Sequence, residues 1–174
     1  MKYLISAIIA VISLFIFAVT TSAGNYVVSS SAQIAKPAIY SGVGDYRKQT
    51  LKKFLLSHNS PMAQHADDFI FYADKYDIDW RLVPAIAGVE STFGKRIPLN
   101  SYNAYGWNNG KYNFTSWADS IEVVSKALRE KYYDRGATNI DRIARRYAPP
   151  SNTWNWKVKF FMNEIDNLPL QFTL

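Results

Sequence analysis

The protein has 174 residues, with 20 Lys and Arg against 14 Asp and Glu for a formal charge of +6, and it is 48% hydrophobic and 16% aromatic. That length and apolar content suit one globular domain and exclude a disordered or collagen-like chain. With no Cys, disulfide frameworks, thiol nucleophiles, zinc fingers and iron–sulfur sites are excluded. His58 and His65, neither followed by Glu, provide no histidine-rich metal site and no zinc-protease motif.

Lys2 precedes an apolar run from Tyr3 to Val19, and Thr21, Ser22 and Ala23 lead into Gly24. The run is longer than a usual cleaved signal core of about 7–15 residues and shorter than a spanning helix of about 20. Residues 1–23 therefore read as an export signal cleaved after Ala23, or as an uncleaved membrane anchor. Either places the rest of the chain outside the cytoplasmic membrane: extracellular, at the cell wall or in the periplasm. Export turns the basic charge away from nucleic acid and towards an anionic envelope polymer or lipid surface. Residues 24–44, rich in Ser, Ala, Val and Gly, read as a flexible linker.

From Asp45 to the end, residues 45–174, the pattern is that of one helical domain. Leu51, Phe54 and Leu55 predict a helix over 46–57, closed by Asn59-Ser60-Pro61, and Ala66, Phe69, Ile70 and Ala73 predict another over 62–76. Asp79 is the expected N-cap of a third helix over 80–92, with Pro84 imposing a kink or a later start and Gly94 ending it in left-handed conformation. Residues 95–116 change character, and Asn109-Gly110 between 104–108 and 111–115 predicts a tight turn in a small β-hairpin lobe. Helices resume over 117–133, 138–146 and 153–167. The fold class is mainly α with that small hairpin lobe.

On the third helix Leu82, Ile86, Glu90 and Phe93 recur at helical spacing, which puts the Glu90 carboxylate on an apolar face in the last turn. Desolvation and the negative end of the helix dipole both favour the protonated form there. A carboxyl that keeps its proton near neutral pH is what a general acid for glycosidic cleavage needs. The alternative is a Glu90 turned to water or paired with Lys95 or Arg96.

The stretch Asp79 to Gly94 resembles the catalytic helix of the lysozyme-like superfamily, and Glu90-Ser91 resembles the Glu-Ser of lytic transglycosylases. Glu90-Ser91-x-Phe93-Gly94 followed by Asn103-Ala104-Tyr105-Gly106-Trp107 is similar to the bacterial glucosaminidase (autolysin) pattern, in which an aliphatic residue takes the place of Trp107. Asn108-Asn109 stands where the transglycosylase pattern has Gln. Ile143 to Pro149, followed by Trp154, resembles the Tyr-Ala segment that closes the cleft in both families. The likeness spans about 62–167. It implies a lysozyme-like domain that cleaves β-1,4 bonds of peptidoglycan glycan strands, with Glu90 as catalytic acid and then base. It also implies that Ser91, Asn103, Tyr105, Gly106, Trp107 and Tyr147 meet the substrate. No metal or organic cofactor and no nucleic acid is expected, and the domain is expected to be a monomer.

Between Glu90 and Asp119 there is no carboxylate, so the lobe supplies no second catalytic acid, and Asp119 and Glu122 are equally explained by the start of their helix. One carboxyl suffices when the substrate's own N-acetyl group assists departure of the leaving sugar. Water then completes hydrolysis, as the resemblance implies for glucosaminidases. Attack by the sugar's 6-hydroxyl gives the anhydro end of a lytic transglycosylase. Two further readings stay open: a catalytically weak wall-glycan-binding module, and a protein that binds a partner through the aromatic lobe. Arg129, Lys131, Arg135, Arg142, Arg145 and Arg146 form a late basic stretch, read first as a solvated face and second as a surface attracted to anionic wall polymers.

Overall fold

The computed structural model describes residues 45–149 and 151–168; the export segment over 1–23 and the linker over 24–44 lie outside them. Six α-helices run in order: α1 (Tyr46–Ser57), α2 (Ala66–Lys75), α3 (Leu82–Ser91), α4 (Trp117–Ala127), α5 (Ile140–Tyr147) and α6 (Trp154–Asp166). No helix among the described residues is long and apolar enough to cross a membrane.

α3 is the axis of the domain. Every residue from Leu82 to Gly88 is buried, because the run is apolar all round and neighbours cover all sides of it. α6 lies against it, α1 packs on α2 and α6, α2 packs on α4, and α5 packs on α6. Leu51, Leu55, Met62, Leu82, Ile86, Ile121, Val124, Leu128, Ile143, Val158 and Ile165 have no exposed surface. They come from every helix but α2 and from the turn before it, and α2 adds the buried Phe69 and Ile70, so the core is continuous. At the rim of the bundle, Arg47 joins Asp45 at 2.6 Å and Asp74 at 2.7 Å, and Arg81 joins Asp79 and Asp166.

α3 starts two residues later than the expected 80. Asp79 accepts the backbone N–H of Arg81 at 3.0 Å and so acts ahead of the helix, not as its N-cap. The later start leaves Pro84 in the first turn, where its missing N–H costs no helical hydrogen bond. The fourth predicted helix is also divided. After Ala127 the chain widens into a π turn over Leu128–Tyr132 and tightens into a 3-10 turn over Tyr133–Arg135, ending on Gly136 at φ +81°.

The expected β-hairpin lobe is corrected: no strand occurs among the described residues. The tight turn itself exists, with Lys111 N–H bonded to the Asn108 carbonyl at 3.0 Å across Asn109 and Gly110, both left-handed. Asn108 is left-handed too, and Gly110 N–H bonds to the Trp107 carbonyl at 3.1 Å. Consecutive left-handed turns coil the chain instead of returning it antiparallel. The Asn103 side chain takes the place of a ladder. Its amide nitrogen donates to the Trp107 carbonyl at 2.9 Å and the Tyr112 carbonyl at 3.0 Å, and its oxygen accepts from Trp107 N–H at 2.9 Å.

The end of α3 is closed by three successive left-handed residues, Thr92, Phe93 and Gly94, with Phe93 N–H on the Ala87 carbonyl at 3.0 Å. The closure drives the buried Phe93 ring back over Gly88, where a Cβ would come within 2.6 Å of it. Gly88→Ala is therefore expected to destabilise the fold by about 1–3 kcal/mol through overpacking, measured as a fall in the urea midpoint. An unchanged midpoint would show that Phe93 is free to move away.

Candidate active site at the end of the central helix

Glu90 is where the buried α3 meets solvent. Leu82 and Ile86 below it on the same face are fully buried, whereas Glu90 itself is exposed. Helical spacing placed it correctly on the Leu82–Ile86 face, and the last turn opens that face to water. No ion pair reaches it among the described residues: Lys95 donates to the His58 carbonyl at 2.7 Å instead.

Three neighbours surround the carboxylate, one of them by a hydrogen bond. Oε1 accepts a 2.7 Å hydrogen bond from Nε1 of Trp154, a buried indole at the start of α6. Gly106 crosses on the other side so closely that a Cβ there would lie 3.1 Å from Oε2. Tyr147, at the end of α5, stands near enough for the negative charge of Glu90 to help hold its phenol protonated, after burial as the main cause. Surrounding protein raises the pKa of Glu90 above the usual carboxyl value, and the Trp154 hydrogen bond pulls it partly back. The outcome is a carboxyl whose pKa is shifted upward while a neutral donor holds one of its oxygens.

The supports of this group are themselves built from buried hydrogen bonds. The Ser91 hydroxyl, 3% exposed, lies 3.0 Å from the Ala87 carbonyl and 2.9 Å from the Ala104 carbonyl, and it accepts from Gly94 N–H at 2.8 Å. Ser91 thus ties the end of α3 to the loop that carries Gly106. Tyr147 donates to the Tyr105 carbonyl at 2.8 Å and stacks on Trp154 with ring centres 5.0 Å apart, which locks that loop to α5 and α6.

Next to Glu90, beyond Gly106, opens a cleft of about 230 Å³ lined by Gly106, Trp107, Asn108, Tyr132 and Tyr147. Of the residues the sequence singles out, Gly106, Trp107 and Tyr147 border this cleft. Ser91 and Asn103 are buried, their polar groups spent on the backbone. Tyr105 also borders the cleft, with 1% of its surface exposed and its hydroxyl 4.0 Å from the Met62 sulfur, so it belongs chiefly to the core. Loop 101–107 makes two sharp bends, with Tyr102 and Gly106 left-handed, and between them the Tyr105 ring is fully buried.

Two residues of the site were missed. Trp154 appears in the sequence as one aromatic among several, and its tie to Glu90 spans 64 positions. Tyr132 reads as the last apolar position of a regular helix, but the π turn puts it at the cleft, 6.1 Å from the ring of Tyr147. The other carboxylates are occupied elsewhere. Asp119 accepts from Thr115 N–H at 2.9 Å and its own N–H bonds to Ser116, a reciprocal cap of α4. Glu122 pairs with Lys75 at 2.7 Å on the surface. No group of three or more His, Asp or Glu among the described residues could hold a metal ion.

Trp154→Phe removes the only hydrogen bond made to the Glu90 carboxylate among the described residues while keeping an aromatic ring at the position. The pKa of Glu90 should rise further, read by its carboxyl carbon shift in a pH titration by NMR. A fall would mean that the indole destabilises the charged form. No family model matches this chain, and no match is found among the curated proteins searched.

Proposed function

We propose that the protein is a lysozyme-like glycosidase of bacterial peptidoglycan, with Glu90 delivering a proton to the glycosidic oxygen and then serving as base. The observation that carries this reading is Glu90 itself: a carboxyl at the mouth of a buried helix, hydrogen-bonded by Trp154 and approached by Gly106 beside an aromatic cleft, with its pKa raised by desolvation. The cleft suits a sugar strand, because the C–H faces of pyranose rings pack on aromatic rings such as Trp107, Tyr132 and Tyr147, while their hydroxyls need polar edges.

None of the residues lining the cleft is a carboxylate, and Glu90 stands beside it against Gly106. That supports a reaction in which the N-acetyl oxygen of the substrate attacks the anomeric carbon as Glu90 protonates the leaving oxygen. Glu90, now a carboxylate, takes a proton from the water that opens the resulting oxazolinium ion. This is glucosaminidase-type hydrolysis. Closure by the sugar's own 6-hydroxyl would instead leave an anhydro-muramic end. The N-terminal segment, read as a signal or anchor, would deliver the domain to the wall outside the cytoplasmic membrane.

The test is digestion of purified peptidoglycan with mass spectrometry of the soluble fragments. Reducing N-acetylglucosamine ends are expected. Reducing muramic ends would reassign the bond, and anhydro-muramic ends would reassign the chemistry to a lytic transglycosylase. Absence of fragments from every wall type, with wall affinity retained, would leave a glycan-binding module.

A further inference from the structure

A second concave site lies at α5, with Arg146 close enough to Tyr132 to act on its phenol electrostatically. A pocket of about 260 Å³ is formed between α5 and the turn that precedes it, lined by Gly136, Ala137, Arg142, Arg145 and Arg146. The three arginines stand at i, i+3 and i+4, so they share one face of α5 while Ile143 and Ala144 face the core.

Their state differs from that of the other arginines described above. Arg47, Arg81 and Arg129 each grip carboxylates, Arg129 through Asp77 at 2.7 Å. Arg142, Arg145 and Arg146 make no ion pair among the described residues. The nearest acid, Asp141, feels Arg145 electrostatically but is taken by Lys159 at 2.8 Å and Asn155 at 2.8 Å. Two of the guanidiniums are instead positioned by backbone: Arg142 donates to the Gly136 carbonyl at 3.1 Å, and Arg146 to the Arg135 carbonyl at 3.2 Å. A merely solvated face would let these side chains extend into water. Here like charges are gathered around a hollow and held, which lowers the ordering cost of binding an anion. The planar forks of arginine suit carboxylates in particular.

Tyr132 links the pocket to the cleft beside Glu90. Arg146 is close enough to Tyr132 to act on its phenol electrostatically, Tyr132 is 6.1 Å from Tyr147, Tyr147 stacks on Trp154, and Trp154 holds Glu90. Arg146 thus acts on a residue of the cleft wall, which places the arginine pocket as a neighbour of any strand lying there. Building on the glycosidase reading, we propose that the Arg142–Arg145–Arg146 pocket binds free carboxylates of the peptide carried by the glycan strand, making peptide-bearing strand the preferred substrate over bare glycan.

Two experiments separate this proposal from the reading it rests on. In the first, kcat/KM is measured on glycan strands with their peptides and on the same strands stripped by an amidase. A preference of about tenfold or more for the peptide-bearing strand is expected, on the scale of one or two charge-assisted hydrogen bonds. It should fall towards one in Arg142→Gln/Arg145→Gln and partly in Arg145→Gln alone, whose side chain makes no hydrogen bond among the described residues. A ratio near one in the unaltered protein, or a ratio that survives the substitutions, overturns the proposal.

The second experiment needs no turnover. A soluble disaccharide-peptide and its amidated counterpart, with carboxylates blocked, are titrated into Glu90→Gln and followed by tryptophan fluorescence. Tighter binding of the free-carboxylate form, lost in the added Arg145→Gln, supports the pocket even if no cleavage is found. Equal binding of the two forms overturns it, as does a pocket that responds only to a phosphate polymer without glycan.

Discussion

Glu90→Gln is expected to lower the rate of glycan release by at least about 10²–10⁴-fold, the usual worth of a positioned general acid–base group, while leaving the fold intact or firmer. Gln keeps an oxygen that can accept from Trp154 Nε1, so the 2.7 Å hydrogen bond has a successor. What it lacks is the proton to donate and the charge to take one back. The stability side has a definite sign. The folded-state pKa of Glu90 is raised, chiefly by desolvation, so the ionised form is disfavoured by folding. That penalty is absent below the unfolded carboxyl pKa and grows as pH rises through the folded one. A thermal melt at neutral pH should therefore place the variant level with or above the unaltered protein, with any advantage vanishing in acid. A marked loss of stability at neutral pH would mean that the charged carboxylate supports the fold and would remove the basis for its role as acid.

The proposed proton-donating role would also set the pH dependence. Activity that needs protonated Glu90 falls as pH rises through its pKa, so the alkaline limb should lie on the high side of the usual carboxyl value. Trp154→Phe should move that limb upward together with the NMR titration.

The helices were legible because each carries its own apolar stripe. Leu51, Phe54 and Leu55 fix α1, and α3 needs no stripe because it is apolar throughout. Glu90 was legible for the same reason, as one charge on the Leu82–Ile86 face. Loop 101–115 was not. Asn109-Gly110 announces a turn that exists, but whether strands flank it depends on where a distant amide spends its hydrogen bonds. Asn103 spends all of them on Trp107 and Tyr112, which no local pattern encodes. The same holds for Tyr105, whose ring reads as a groove candidate and is buried between the bends at Tyr102 and Gly106. Trp154 and Glu90 meet only because α5 and α6 fold back on the end of α3. That is a tertiary fact, visible in the sequence only as an aromatic near the end of the chain.

Gly106→Ala should cost turnover about 10–100-fold while leaving the protein folded. Two effects act at this position. Its φ of +66° is one that Ala adopts with strain, about 1 kcal/mol, and its new Cβ would lie 3.1 Å from Glu90 Oε2. Within the pair, the atom best able to give way is the carboxylate, which stands at the end of a flexible, solvent-exposed side chain, whereas the Gly106 backbone is pinned by Tyr147 on Tyr105 and by Asn103 on Trp107. The crowding therefore falls on the reacting group. A displacement of a fraction of an ångström swings the carboxyl off its bond to Trp154 and out of line with the cleft, and misplacement of about 1 Å can cost about 10²-fold. The loss should fall on kcat more than on KM, since the aromatic walls that would bind the strand are untouched. It should be accompanied by a changed Glu90 carboxyl shift in NMR and by a melting temperature within a few degrees of the original. Full activity with an unmoved Glu90 signal would show that the close approach of Gly106 is incidental to the placement of the carboxylate.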